Sequence, residues 1–237
     1  MGLMVDHYAV LEKHLVAVDC VIFGYDIRDK ELKLLLIRRR FEPELGKWSL
    51  PGGFVKKEEG VSEAARRVLY QLTGLKDVYM KQSYAWGDVH RDTGGRVITI
   101  SHFALINTFE LNPVMTEASA AHWRSISRIP ELIFDHKKIV ERAHYELKEG
   151  IKLKPVGFEL LPEKFTLVQL QDLYEAIYQR KIDKRNFRKK IISMNLLEKL
   201  DEKEKETSKK GAYYYRFIPS KYDDFKRQGF YFSLDVQ

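Results

Sequence analysis

Six cations fall within one ten-residue window of this chain: Lys181, Lys184, Arg185, Arg188, Lys189 and Lys190. Positive charge at that density suits a polyanion, because each Lys or Arg brought to a phosphate releases condensed counterions. Charge alone fits a solvated helix face as well. The residue types add more: Lys184, Arg185, Asn186 and Arg188 carry donors that could reach base edges from a helix in a major groove, with Arg suited to guanine and Asn to adenine. Lys189 and Lys190, with Ser208, Lys209 and Lys210 farther along, suit phosphate contacts that fix register without reading sequence. The run DEKEKETSKK at 201–210 mixes four acids with four bases, so a merely solvated loop fits it too. A second set of chemical residues is carboxylic: Glu58, Glu59 and Glu63 lie close together and near Arg67. Such a set can brace a loop through an arginine pair or, with enough anionic oxygens, hold a hard cation.

Elements must place these groups. Thr166 with Gln169 three residues later is a capping-box signal, and Leu167, Leu170, Leu173, Tyr174 and Ile177 share one face of the helix it opens. Gln179 to Ile182 make a turn, and Asp183 caps a second helix whose Phe187, Ile191 and Met194 point inward, with Ile192 as a further inward candidate. Helix, short turn, basic helix is a helix-turn-helix. Leu196 to Leu200 and Ala212 to Phe217, joined by the charged run, read as a β-hairpin that would form a wing.

The earlier part of the chain reads differently. His14 to Asp26 and Glu31 to Arg39 are strands joined by a hairpin, with further strands in Val78 to Trp86, Arg96 to Phe109 and His122 to Ser125. Ser62 reads as the cap of a helix in which Ala64, Ala65, Val68, Leu69 and Leu72 share one face and Gly74 is the stop. Lys137 to Leu147 look helical, and Gly150 to Pro162, with Gly157 and two prolines, reads as a connector. A chain of 237 residues suits two modest domains, placed here at 1–150 and 151–237.

Composition agrees and excludes several classes. Hydrophobic residues at 44% and aromatics at 12% provide for a core and exclude intrinsic disorder. No apolar run approaches the roughly 18 residues that span a bilayer, and Met1 to Lys13 mixes charges rather than forming a signal peptide. One cysteine, Cys20, allows neither an internal disulfide nor a multi-thiolate metal site. A cytoplasmic location and no membrane partner are therefore expected. The net charge of +7 is unevenly held: residues 1–150 carry a balance of +1 and residues 151–237 a balance of +6.

The segment from Gly53 to Leu75 resembles the Nudix box. Gly53, Glu59, Arg67, Leu69, Gly74 and Leu75 stand at the family's spacing. Where the family has its three helical glutamates, which hold Mg²⁺ against a pyrophosphate, this chain has Val68, Gln71 and Leu72. Val and Leu have no oxygen and Gln has no charge, so no metal site, no resident cofactor and no catalytic residue is expected here. Glu59 and Arg67 are then expected to brace the loop-helix junction. Other carboxylates, Glu58 and Glu63 among them, leave a hydrolase of ADP-ribose or a related nucleoside diphosphate derivative as the alternative.

A Nudix-like domain followed by a winged helix resembles the Nudix-related transcriptional regulators. The segments RRRFEPELGKWSLPGGFV, LIFDHKKIVERA and FTLVQLQDLYEAIYQRKIDKRNFRKKI are similar to that family's. The resemblance is nearest to the arabinose-responsive branch; another branch senses ADP-ribose. It implies an α+β protein: a Nudix-type α/β/α sandwich with a mixed sheet, then a C-terminal winged helix-turn-helix. It further implies a homodimer on a double-stranded DNA operator, controlled by a small-molecule effector, a pentose such as L-arabinose or else ADP-ribose. In that fold the effector cleft would draw on Arg38, Trp48, Lys57, Tyr84, Trp86 and Asp88, whose polar groups and rings suit sugar hydroxyls and phosphate. His90, His102, His122, His136 and His144 lack metal-ligand spacing and read as structural. A third reading, a binding protein in which the C-terminal part only dimerises, would need Arg185 and Asn186 to be dispensable for nucleic-acid binding.

Overall fold

The computed structural model describes residues 11–76, 78–108, 121–154, 156–205 and 211–227. Ser208, Lys209, Lys210 and most of the segment Met1 to Lys13 lie outside them. Seven strands build one sheet: β1 (Leu15–Asp26), β2 (Glu31–Arg38), β3 (Trp48–Ser49), β4 (Gly52–Phe54), β5 (Tyr79–Trp86), β6 (Val97–Asn107) and β7 (Ala121–Ser125). The main path runs β3-β2-β1-β6-β5, with β4 on β1 and β7 on β2. The sheet is mixed, because β1 and β6 run parallel over eleven paired residues while the other neighbours are antiparallel.

Strand β1 is buried on both faces, which is why its sequence is almost unbroken apolar rather than alternating. Val18, Cys20 and Ile22 point to one side and pack with Ala64, Ala65, Val68 and Leu69 of helix α1 (Val61–Thr73). Val21, Phe23 and Tyr25 point to the other, against Ile139, Val140, Ala143 and Leu147 of helix α2 (His136–Leu153). Helix, sheet and helix form the expected sandwich. Among the described residues no helix is long and apolar enough to cross a membrane.

Two local expectations need correction. Helix α1 is capped by Gly60 and not by Ser62: Gly60 has the extended φ and ψ of a cap, and its N–H donates to Glu63 Oε2 at 2.7 Å, which leaves Ser62 inside the first turn. Helix α2 does not end at Leu147. It runs through Gly150 to Leu153, because Leu147 and Ile151 are both fully buried on its sheet side and extend its apolar stripe by a turn. A 3-10 turn at Val156–Leu160 follows.

The remaining elements are β8 (Phe165–Thr166), α3 (Leu167–Tyr178), α4 (Lys184–Ser193), β9 (Leu197–Glu204), β10 (Ala212–Phe217) and α5 (Pro219–Arg227). Strands β8, β10 and β9 form a second, three-stranded sheet, so the hairpin expected after the basic helix is present. Asp201 to Glu204, expected in its loop, belong to strand β9. Leu167, Leu170, Leu173, Tyr174 and Ile177 of α3 join the same apolar core as Phe23, Leu34 and Leu36 of the large sheet. The core is continuous across residue 150.

Candidate functional site

A cleft of about 480 Å³ opens between the end of β2, the loop into β3, the start of α2 and the C-terminal half of α1. Arg38, Arg39 and Arg40 line one wall, and Phe41, Phe54 and Phe134 supply apolar surface. Leu50, Gly52 and Gly53 line it too, and Gly52 is there for a steric reason. A Cβ at that position would fall 2.6 Å from Asp19 Oδ1 and 2.7 Å from the Val18 carbonyl, since β4 pairs antiparallel with β1 and sets Gly52 opposite Asp19. Gln71 and Leu72 face the cleft, while Val68 is buried under it at 4% exposure. Among the described residues no group of three or more His, Cys, Asp and Glu side chains is arranged to hold a metal ion.

Glu59 and Arg67 form a two-point pair, Nε to Oε2 at 2.9 Å and Nη2 to Oε1 at 2.5 Å, and Arg67 also donates to the Phe54 carbonyl. The Arg67 hydrogen bonds, with the N–H of Lys56, hold the Glu59 carboxyl down to about 2. This carboxylate is tied to the loop-helix junction, as expected, and ties the strand β4 to α1.

The floor of the cleft holds a charge network that sequence reasoning missed. Arg91, 7% exposed, makes a two-point pair with Asp135 at 2.9 and 2.7 Å and reaches Asp19 Oδ2 at 3.3 Å. His136 beside them accepts the Leu50 N–H at Nδ1, 3.0 Å away, which puts its ring proton on Nε2, facing Asp19 Oδ1 at 3.7 Å. Burial pushes the His136 pKa down, in keeping with a neutral ring. The available signal was Asp19 itself, a lone acid in the middle of an otherwise apolar buried strand.

The six effector candidates are not brought together. Arg38 lines the cleft, and its guanidinium lies over the Trp48 ring at 3.8 Å, with that of Arg124 at 4.8 Å. Trp48 therefore stacks on arginines and does not line the cleft. Trp86 and Asp88 line a broader groove along α2 that shares Arg91 and Phe134 with the cleft. Tyr84 is half-exposed on β5, edge-on to Trp86 at 5.2 Å, and Lys57 projects into solvent beside Glu58; neither lines these cavities. Arg39, Arg40, Phe41 and Phe134 were the cleft residues to look for, and only the arginine run was conspicuous in the sequence.

The helix-turn-helix is built as its capping residues require. Thr166 Oγ1 accepts from Gln169 N–H and Gln169 Oε1 from Thr166 N–H, closing the capping box of α3. Gln179 takes the left-handed conformation that ends the helix. Glu175 then fixes the turn: it accepts from Gln171, Lys181 and the Ile182 N–H. Burial would raise its pKa, but those bonds outweigh burial and lower it. Asp183 Oδ1 accepts the Asn186 N–H at 2.7 Å and opens α4. Phe187 and Ile191 are buried, and Lys184, Arg185, Asn186, Arg188, Lys189 and Lys190 are all exposed. Lys181 is bound to Glu175, whereas the five cations of α4 have no ion-pair partner among the described residues. Ile192, expected to point inward, is 55% exposed.

The family model of the NUDIX domain matches residues 13–143, and that of the NrtR DNA-binding winged helix domain matches residues 157–217. The chain is 32% identical over 213 residues to the ADPR responsive transcriptional repressor NtrR of Acinetobacter baylyi, covering 88% of this chain and 84% of that protein. It is 35% identical over 126 residues to the ADP-ribose pyrophosphatase of Methanocaldococcus jannaschii, covering 53% of this chain and 70% of the enzyme. The crystal structure of Shewanella oneidensis NrtR with a 27mer DNA matches 93% of this chain and 99% of its own, with a TM-score of 0.79 and 28% identity. The arabinose-responsive branch, expected from the segments quoted above, finds no support in these relatives. A Nudix sandwich joined to this winged helix, matched over most of the length of both proteins, places the chain in the NrtR-type family of Nudix-domain proteins.

Proposed function

We propose that this protein is an ADP-ribose-responsive, DNA-binding transcriptional repressor that acts as a dimer, with α4 of each protomer in the major groove. The observation that carries the reading is the cleft: three arginines stand on its wall while Gln71 and Leu72 occupy box positions that face it. A diphosphate finds cations and apolar surface there without needing a metal. The similarity to a repressor named for ADP-ribose, over 88% of this chain, supports the choice of effector. The five cations of α4, without an ion-pair partner among the described residues, support DNA as the partner. Among the base-edge candidates, Lys184, Arg185 and Asn186 lie in the first turn of that helix, where recognition helices commonly contact base edges. On this reading the Nudix domain senses rather than cleaves.

The test is anisotropy binding to duplexes tiled across the regions flanking its own gene, at several salt concentrations, with and without ADP-ribose and L-arabinose. Tight, salt-sensitive binding to one duplex that ADP-ribose weakens fits the proposal. Uniform weak binding without an ADP-ribose effect overturns it. The similarity to an ADP-ribose pyrophosphatase favours a second reading, a hydrolase of ADP-ribose. That reading requires Mg²⁺-dependent release of AMP, lost in Glu59→Gln.

A further inference from the structure

Helix α4 has a defined outward side. Phe187, Ile191 and Met194 are 3%, 3% and 8% exposed and mark the side that faces the core. On a helix of 3.6 residues per turn, the residues opposite that stripe are Arg185, Lys189 and Ile192, spaced i, i+4 and i+7. Two are cations. The third is a branched apolar side chain that is 55% exposed, more than Val168 at 39% or Tyr213 at 37%, the other exposed large hydrophobics described after residue 156. Tyr213 is moreover covered by Lys199 and Lys203, whose ammonium groups sit 3.6 and 4.5 Å from its ring. Ile192 follows Arg188 and Lys189 by four and three residues and, among the described residues, packs in neither apolar core cluster.

Isolated apolar residues on a surface are ordinary. This one stands in line with the cations of the face assigned to DNA. The only apolar feature on the base edges of the major groove is the C5-methyl of thymine. Resting on the DNA-binding reading above, we infer that Ile192 is a specificity-determining residue that packs on a thymine methyl. Seven residues at a 1.5 Å rise separate Arg185 from Ile192 by about 10 Å, which is about three base-pair steps of 3.4 Å. The thymine therefore lies about three base pairs from the base that Arg185 reads. A methyl group has no charge or donor, so the contact discriminates without adding to the salt dependence.

The experiment starts with a duplex that the full-length protein selects from a randomised library. Each thymine of that duplex is replaced singly by deoxyuridine, which deletes only the methyl, and binding is measured with wild-type protein, Ile192→Val and Ile192→Ala. The expected result is one position per half-site where deoxyuridine weakens wild-type binding about fourfold. Ile192→Val keeps most of that sensitivity. Ile192→Ala loses it, and binds the thymine duplex about as weakly as wild type binds the deoxyuridine one. The inference is overturned if no thymine position is sensitive, or if Ile192→Ala keeps the wild-type pattern. A duplex selected tightly but insensitive to deoxyuridine removes this inference and leaves the repressor reading standing; failure to select any duplex removes both. Since Ile192 is solvent-exposed, its variants melt with wild type.

Discussion

His144, on α2, donates its Nε2 hydrogen to the main-chain carbonyl of Ile177, 2.8 Å away in the last turn of α3. This bond joins the helix whose first residue lines the arginine-walled cleft to the helix that leads into the turn before α4. His136 and His144 are eight residues apart, so α2 carries the relation over about 12 Å. A second tie, Lys30 to Asp172 at 2.9 Å, holds α3 to the β1-β2 hairpin.

The bond makes a prediction for His144→Phe. Loss of it leaves the Ile177 carbonyl without its donor and destabilises the fold by ~1–2 kcal/mol. Because α3 is then less firmly held to α2, the ratio of operator affinities without and with ADP-ribose shrinks, while ADP-ribose binding itself stays within twofold of wild type. Melting and paired anisotropy titrations check both parts.

Burial pushes the His144 pKa down to about 4, and burial lowers those of His102 and His136 as well. These rings are neutral in the fold and take up protons more readily once unfolded. Stability is then complete above the ordinary histidine pKa of about 6.5 and is lost as pH falls from there through 4. The melting temperature is expected to drop between pH 7 and pH 5, and to drop less in His144→Gln.

Arg91 is held between Asp135 and Asp19 with almost no solvent access. Arg91→Ala leaves the buried Asp19 carboxylate and the half-buried Asp135 carboxylate without their cation, a loss of ~3–5 kcal/mol. Denaturant unfolding measures it. A variant as stable as wild type would show that the network is hydrated.

Gly52→Ala forces a Cβ to within 2.6 Å of Asp19 Oδ1 and 2.7 Å of the Val18 carbonyl. The neighbour is in part backbone, so the strand must move, at ~1–3 kcal/mol. Weaker ADP-ribose binding is expected with it, since the same loop lines the cleft.

Arg185→Ala and Asn186→Ala are expected to cost ~1–3 kcal/mol each in operator binding and to relax sequence preference at one position apiece. Lys190→Ala should weaken all duplexes alike and lower the salt slope by about 1. Binding measured against a small panel of single-base operator variants separates the two classes.

Elements fixed by local rules were legible in the sequence. The capping box at Thr166, the Asp183 cap, the Gly74 stop and the two-sided apolar strand β1 each depend on residues within a few positions of one another. The box spacing from Gly53 to Leu75 identified the fold for the same reason. The cleft was not legible, because Asp19, Arg91 and Asp135 are separated by 72 and 44 residues and meet only once the sheet has formed and α2 begins beside it. Trp48 looked like a sugar platform until the sheet put Arg38 and Arg124 against its ring. Ile192 looked like core by its type, and only the direction in which Phe187 and Ile191 are buried turned it outward. Sequence decides how a helix's faces divide; what each face meets, and in α2 where the helix stops, depends on contacts that chain separation hides.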